Sequence, residues 1–307
     1  MANIRLSRVN HFKTIPYKEA PNFRDFYYEE KSNNVYFMDW DHILKYHKAT
    51  GYDGIELPPW DLAEILGLFK TPEAYLDFAQ ERGISVSGMF HGCDDSYRAD
   101  KYDEVLAAGK AAVDTCKAFG GKHLNTCPCN NYYGVGPLDD EALKNVARVI
   151  TDIGRYAVDN GIQLGLHNEF FCAVNKYNHR QFLEMTDPRY VFYCLDTAQI
   201  QLMGDNLLDF YDTYADRICT FHLKDTASYG EKDEVRFSQD PEITDDGHRW
   251  FWEPGEGVLQ LEELWKLVKK HHFQGWVTIE DDETPDLLAA MALSSYEVHE
   301  VLGKIYK

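Results

Sequence analysis

Short apolar runs rich in β-branched and aromatic residues alternate along the chain with longer amphipathic stretches, the pattern of βα units around a parallel sheet. The runs predict strands at Ile4 to Asn10, Gly54 to Leu57, Ile84 to Phe90, His123 to Thr126, Ile162 to Glu169, Val191 to Thr197, Ile218 to Leu223 and Trp276 to Glu280. Between them the helical stretches carry their own punctuation. DWDHILKYHKATGYDG starts at Asp39, sets Ile43, Leu44 and His47 on one face, and reaches Gly51 where a helix would stop. TPEAYLDFAQERG has Thr71 as N-cap, Pro72 at the first helical position and Gly83 at its end. The same grammar recurs in DDEALKNVARVITDIGRYAVDNG and LQLEELWKLVKKHHFQG. Eight strands, each followed by a helix, predict an α/β fold of the (β/α)8 TIM-barrel type, a single domain over residues 1–307. An open doubly wound sheet would place a Gly-rich phosphate turn after its first strand, and HFKTIPYK is not one.

Two stretches exceed a minimal barrel, about residues 16–36 after strand one and about 227–254 after strand seven. Both follow strands, so both belong to the face where barrel active sites form. Their aromatics, Phe23, Phe26, Tyr27, Tyr28, Trp250, Phe251 and Trp252, suit stacking on a sugar or on another chain, and equally suit closing the rim. Trp252 is therefore a candidate substrate contact.

Composition narrows the partners. Fifty-one acidic against 31 basic residues give a net charge of −20, a surface that repels phosphate backbones and anionic headgroups, so neither nucleic acid nor a membrane is an expected partner. No stretch reaches the roughly 20 apolar residues of a bilayer span, and MANIRLSRVNHFKTIPYK lacks the apolar run of a signal peptide, so a cytoplasmic location is expected. The seven cysteines read as reduced, buried thiols, because the close pair Cys127 and Cys129 has neither zinc-knuckle nor redox-motif spacing.

In a barrel strand only the C-terminal end reaches the site, and residues i and i+2 share a face. LGLHNE presents Glu169 with His167, FYCLDT presents Asp196, TFHLKD presents His222 with Lys224, and VTIEDD presents Glu280 and Asp282. One carboxylate at a strand end is often a helix cap. Four metal-competent groups on successive strands, Glu169, Asp196, His222 and Glu280, make an oxygen-rich site for a divalent metal, Mn²⁺ first, with Mg²⁺, Co²⁺ or Zn²⁺ also suited.

LGLHNE, FYCLDT, TFHLKD, EPGEGVLQLEEL and GWVTIEDDE, in this order, resemble the sugar phosphate isomerase/epimerase superfamily of xylose-isomerase-like barrels, which includes ketose 3-epimerases and inosose dehydratase. The resemblance implies that Glu169, Asp196, His222 and Glu280 are the metal ligands, and that in an epimerase the two glutamates also shuttle protons. Two departures shift the expectation toward elimination. Gln199 stands where ketose epimerases carry a His, and Ser228 where they carry an Arg, while HLKD resembles inosose dehydratase. The N-terminal region, VNHFKTIPYK through GYDGIELPPWDL, is similar to the catalytic α subunits of bacterial C-glycoside deglycosidases, which implies a 3-oxo-C-glycoside as substrate and a small β subunit as partner.

The expected activity is therefore metal-assisted enolisation of an oxidised sugar or glycoside followed by β-elimination, best specified as cleavage of a 3-oxo-C-glycoside. The alternatives are an isomerase or 3-epimerase of a free ketose and an inosose or keto-sugar dehydratase. His167 is the first candidate base, with orientation of Glu169 as its other reading. Lys224 is placed to neutralise the enolate or leaving oxygen, and His11 and His91 are candidate contacts to sugar hydroxyls. A scaffold whose aromatic rim binds a partner is the non-enzymatic alternative, and the two insertions are consistent with an oligomer. The histidine-rich zinc cluster and basic face of apurinic endonucleases, which share the barrel, are missing from this sequence.

Overall fold

A computed structural model describes residues 4–12, 40–129, 138–167, 169–170, 172–174, 179–228, 230, 249–282 and 284–306. The expected insertion at about 16–36, with Phe23, Phe26, Tyr27 and Tyr28, lies outside the described residues, as does most of the second insertion. Eight parallel strands close into a barrel in chain order, β1 (Ile4–Val9), β2 (Gly54–Leu57), β3 (Ser85–Cys93), β4 (His123–Pro128), β5 (Gln163–Leu166), β6 (Val191–Asp196), β7 (Ile218–Leu223) and β8 (Gly275–Ile279). The expected strand two and strand seven match to the residue. The sharpest difference is β5, which ends at Leu166, so that His167 and Glu169 lie just beyond it. His167 still continues the ladder, its N–H donating to the Thr126 carbonyl at 2.8 Å.

The helices begin and end where local chemistry allows. Thr71 Oγ1 accepts from Ala74 N at 3.2 Å to cap α3 (Pro72–Glu81), which follows α1 (Trp40–Ala49) and α2 (Asp61–Phe69). Beyond α4 (Tyr102–Ala118), Asp139 caps α5 (Asp140–Asp159) in the same way, and Gly161, at φ 76°, takes the left-handed conformation that turns the chain into β5. Their apolar faces pack on the outside of the barrel, with Trp265, Phe221, Tyr193 and Phe210 among the large enclosed side chains.

The lumen, by contrast, is polar. Ser7 and Thr278 pair across the β1–β8 seam at 2.7 Å. Glu56 on β2 meets His123 and Asn125 on β4 and His222 on β7. These strands are not neighbours, so the contacts cross the barrel interior. The crossing from β4 to β2 passes over β3 at Gly88, where a Cβ would lie 2.1 Å from His123 Nε2. Below the rim, the fully buried Arg8 on β1 forms an ion pair with Asp281, which follows β8.

Candidate metal centre

The strand ends deliver their polar side chains to one small volume. Ligand atoms of His167, Asp196, His222 and Glu280 all lie within 4.8 Å of one another. Three of the four expected ligands are thus brought together, and His167 rather than Glu169 completes the compact group. Glu169 stands beside it, Oε1 3.5 Å from His167 Nδ1, and at 19% exposure is the most open of these side chains.

Asp196 shows how the sequence builds the site. Its Oδ1 accepts from Gln199 N at 2.9 Å and caps α6 (Thr197–Leu202), which starts at once because β6 ends on a good N-cap residue. That leaves Oδ2 aimed into the cluster. Gln199 itself is turned away, its Oε1 accepting from Phe170 N at 2.8 Å, so it is a structural tie.

The cluster is dense in opposed charge. His222 Nδ1 lies 2.7 Å from Glu280 Oε2, and His167 Nε2 lies 3.2 Å from Asp196 Oδ2 and 3.7 Å from Glu280 Oε2. The Lys224 ammonium is enclosed, 2.7 Å from Glu280 Oε2, 3.2 Å from Asp196 Oδ2 and 2.5 Å from Asp282 Oδ2, with the Phe251 ring 4.2 Å away. Burial alone would lower the pKa of His167 and Lys224, but the carboxylates around them hold both well above their usual values. Burial would raise that of Glu280, yet His222 and Lys224 hold it well below the ordinary carboxylate range.

Two imidazoles and two carboxylates are a donor set for a divalent cation. His167 Nδ1 and Nε2 and Asp196 Oδ2 are buried and make no hydrogen bond among the described residues; their close contacts are ionic only. Buried polar atoms are normally paired, so His167 Nε2 and Asp196 Oδ2, orphans that face each other and Glu280, fit a cation, while Nδ1 faces Glu169. The imidazole share favours Zn²⁺, Co²⁺ or Mn²⁺ over Mg²⁺.

The remaining expected residues fall around this centre. His11 Nε2 is 3.1 Å from Asp282 Oδ1, and His11, Glu280 and Asp282 form a second, more open group sharing Glu280. His91 lies on β3, its pKa lowered by burial. Trp252 is engaged elsewhere. Its backbone pairs with Asp225, its indole N–H donates to the Arg249 carbonyl at 3.2 Å, and the Arg249 guanidinium covers its ring at 4.5 Å. Of the three aromatics expected from this insertion, Phe251 reaches the centre, and Trp250 packs on Phe170 at 4.9 Å.

Sequence reasoning missed Glu56. It is 1% exposed, with Oε1 2.9 Å from His222 Nε2 and Oε2 2.9 Å from His123 Nε2, and although burial pushes its pKa up, the two imidazoles hold it below the carboxylate range. The signal available was a carboxylate inside the four-residue apolar run GIEL, which a strand packed on both faces admits only if partners are supplied.

Comparisons with known proteins agree with this architecture. The model of the xylose isomerase-like TIM barrel family matches residues 44–295. An inosose dehydratase of Lacticaseibacillus casei is 25% identical over 232 residues, 70% of this chain and 75% of the relative. One of Clostridium beijerinckii is 25% identical over 149 residues, and that match spans only 50% of the relative's length and 48% of this chain. A solved structure of the IolI protein with a bound zinc atom superposes with a TM-score of 0.74 at 18% identity, covering 99% of both chains. Among the described residues no helix is long and apolar enough to cross a membrane.

Proposed function

Because the chain belongs to the xylose isomerase-like TIM barrel family, we propose that this cluster makes it a divalent-metal-dependent dehydratase of a keto-polyol, an inosose or a related keto-sugar. The observation that carries the reading is the convergence of His167, Asp196, His222 and Glu280 within 4.8 Å at the C-terminal rim of the barrel. The two inosose dehydratases similar to this chain support the reaction class, and the zinc atom bound by IolI supports the cation. A cation held by these four residues supplies Lewis-acid stabilisation of the enolate charge that forms when a proton leaves the carbon beside a ketone.

The chain's own residues do the rest. Glu169, more exposed than any of the four clustered groups, takes the α-proton on its carboxylate. This exchanges the roles that the strand-end pattern assigns to Glu169 and His167, because His167 is enclosed among the ligands. Lys224, held charged by three carboxylates, acts as a fixed positive charge that stabilises the enolate through space. Phe251 over its ammonium keeps water from that side. The C–H and the neighbouring C–O bonds break, a C=C bond forms, and the proton on Glu169 leaves with the β-hydroxyl as water. In this reading His11 and His91 contact substrate hydroxyls. C–C cleavage of a 3-oxo-C-glycoside could start from the same enolate, but neither dehydratase relative supports it, nor a small β subunit.

The test is an inosose in deuterated water with metal-stripped enzyme, then with Mn²⁺, Co²⁺ or Zn²⁺ restored. A product lighter by one water that appears only with metal is expected. Full turnover after complete stripping sinks the reading, and deuterium in a recovered epimer with no water lost converts it to an isomerase.

A further inference from the structure

The His222 ring is gripped on both edges. On one, Nδ1 faces Glu280 at 2.7 Å and the cluster beyond it. On the other, Nε2 faces away from the rim toward Glu56 Oε1 at 2.9 Å. We propose that Glu56, on the far side of the lumen, is a positioning residue that fixes the His222 ring with Nδ1 turned to the cation. The inference rests on the reading of the cluster as a cation site.

An ionised carboxylate can only accept, so His222 Nε2 must carry the hydrogen, and a neutral imidazole then has its lone pair on Nδ1. Asn125 reinforces the arrangement, its Nδ2 lying 3.2 and 3.1 Å from the two Glu56 oxygens, so its amide also donates to Glu56. Its 3.1 Å approach to His222 Nε2 follows from the shared acceptor. His123 Nε2 holds the other oxygen at 2.9 Å, which stops the carboxylate from rotating away. A charge buried this deeply is expensive, and an apolar residue would fill the lumen with less loss of hydration. Its partners come from β4 and β7, and β3 gives up a side chain at Gly88 to let His123 through. All of this converges on the edge of His222 remote from the cluster. Partners of this kind orient ligand imidazoles, and removing one typically costs about 10–100-fold in metal affinity.

Two measurements test it, with Zn²⁺ alone as the probe. In wild-type protein loaded with Zn²⁺ and labelled with ¹⁵N-histidine, the His222 signals, identified by their loss in His222→Asn, should show a protonated Nε2 and a metal-shifted Nδ1. A proton on Nδ1 with metal on Nε2 overturns the proposal, and this reading needs no Glu56 variant to fold. Chelator competition then compares Glu56→Leu, His123→Gln and Asp196→Asn, each checked by thermal melting without metal. Glu56→Leu should bind Zn²⁺ about 10–100-fold more weakly, and His123→Gln, which loosens Glu56 without removing it from His222, should bind it less tightly than wild type but more tightly than Glu56→Leu. Wild-type affinity in Glu56→Leu together with weakened Asp196→Asn overturns the positioning role and leaves the cation site standing. Wild-type affinity in Asp196→Asn overturns the cation site itself.

Discussion

Asp196 divides its two oxygens between a helix cap and the centre, and Lys224 shows the same economy with charge. Its ammonium contacts Glu280 Oε2 and Asp196 Oδ2, the oxygens that a cation in the cluster would share. Lys224→Met is therefore expected to lower turnover by about 10²–10³-fold, the range for losing one fixed electrostatic stabiliser, without weakening metal binding, since a competing positive charge is removed. Steady-state kinetics with calorimetric metal titration checks both halves; weaker metal binding in the variant would show that Lys224 supports the ligands instead of competing for them. At this scale the strand-end residues Asp196, His222, Lys224 and Glu280 were legible because each interrupts an apolar run at its C-terminal end. Glu56 was not, because it lies within its run and its partners are 67 and 166 positions away in sequence. That His167 and not Glu169 lies in the compact group was hidden for another reason: both share a face, and only the end of β5 at Leu166 decides which is enclosed.

Elements are joined by buried polar groups as well as by apolar faces. The Arg8–Asp281 pair ties β1 to the chain leaving β8. Breaking a buried pair strands a charge and typically costs about 3–5 kcal/mol, whereas replacing both partners by apolar residues is often neutral. Arg8→Met should lower stability by that amount and Arg8→Met with Asp281→Leu should recover most of it; equal losses in the single and double variants by urea denaturation would refute the account. His47 fixes α1 in a comparable way, enclosed between Phe12 and Tyr52 with Nδ1 donating to Ile43 O at 2.8 Å. Burial lowers its pKa from 6.5 to about 3. Below pH 6.5 the unfolded chain binds a proton that the folded chain refuses, so stability falls as pH drops, by about 2 kcal/mol at pH 5 relative to pH 7. His47→Gln should remove that part of the slope; an unchanged slope would mean that His47 protonates without unfolding. The element boundaries were legible where caps are strong, at Thr71 and Gly83, and His47 was correctly set on the inner face of its helix by spacing alone.

For the whole molecule, the alternation of apolar runs and amphipathic stretches was enough to count eight strands, because a parallel barrel buries every strand on both sides and writes each one as a compact apolar block. Ligand linkage should also be visible at this scale. A cation that binds only the folded barrel raises stability by about 2.7 kcal/mol at a hundredfold excess over its Kd. Melting with graded Zn²⁺ should show a rising transition in wild type and none in Asp196→Asn; a rise in both would place the binding elsewhere. The net charge of −20 remains a property of the outside, since the acidic groups that matter for chemistry are those the barrel encloses.

Gly88 carries one consequence for how this sequence can change. Its missing side chain and the His123 ring occupy one shared volume, so the two positions are coupled in any library even though 35 residues separate them. Randomising position 88 alone should return glycine. Randomising 88, 123 and 56 together should return pairs at 88 and 123 in which a gain at one is matched by a loss at the other, and those that lack a donor at 123 should favour a neutral residue at 56. The route by which this barrel could exchange its polar lumen for an apolar one therefore opens at a position with no chemistry of its own.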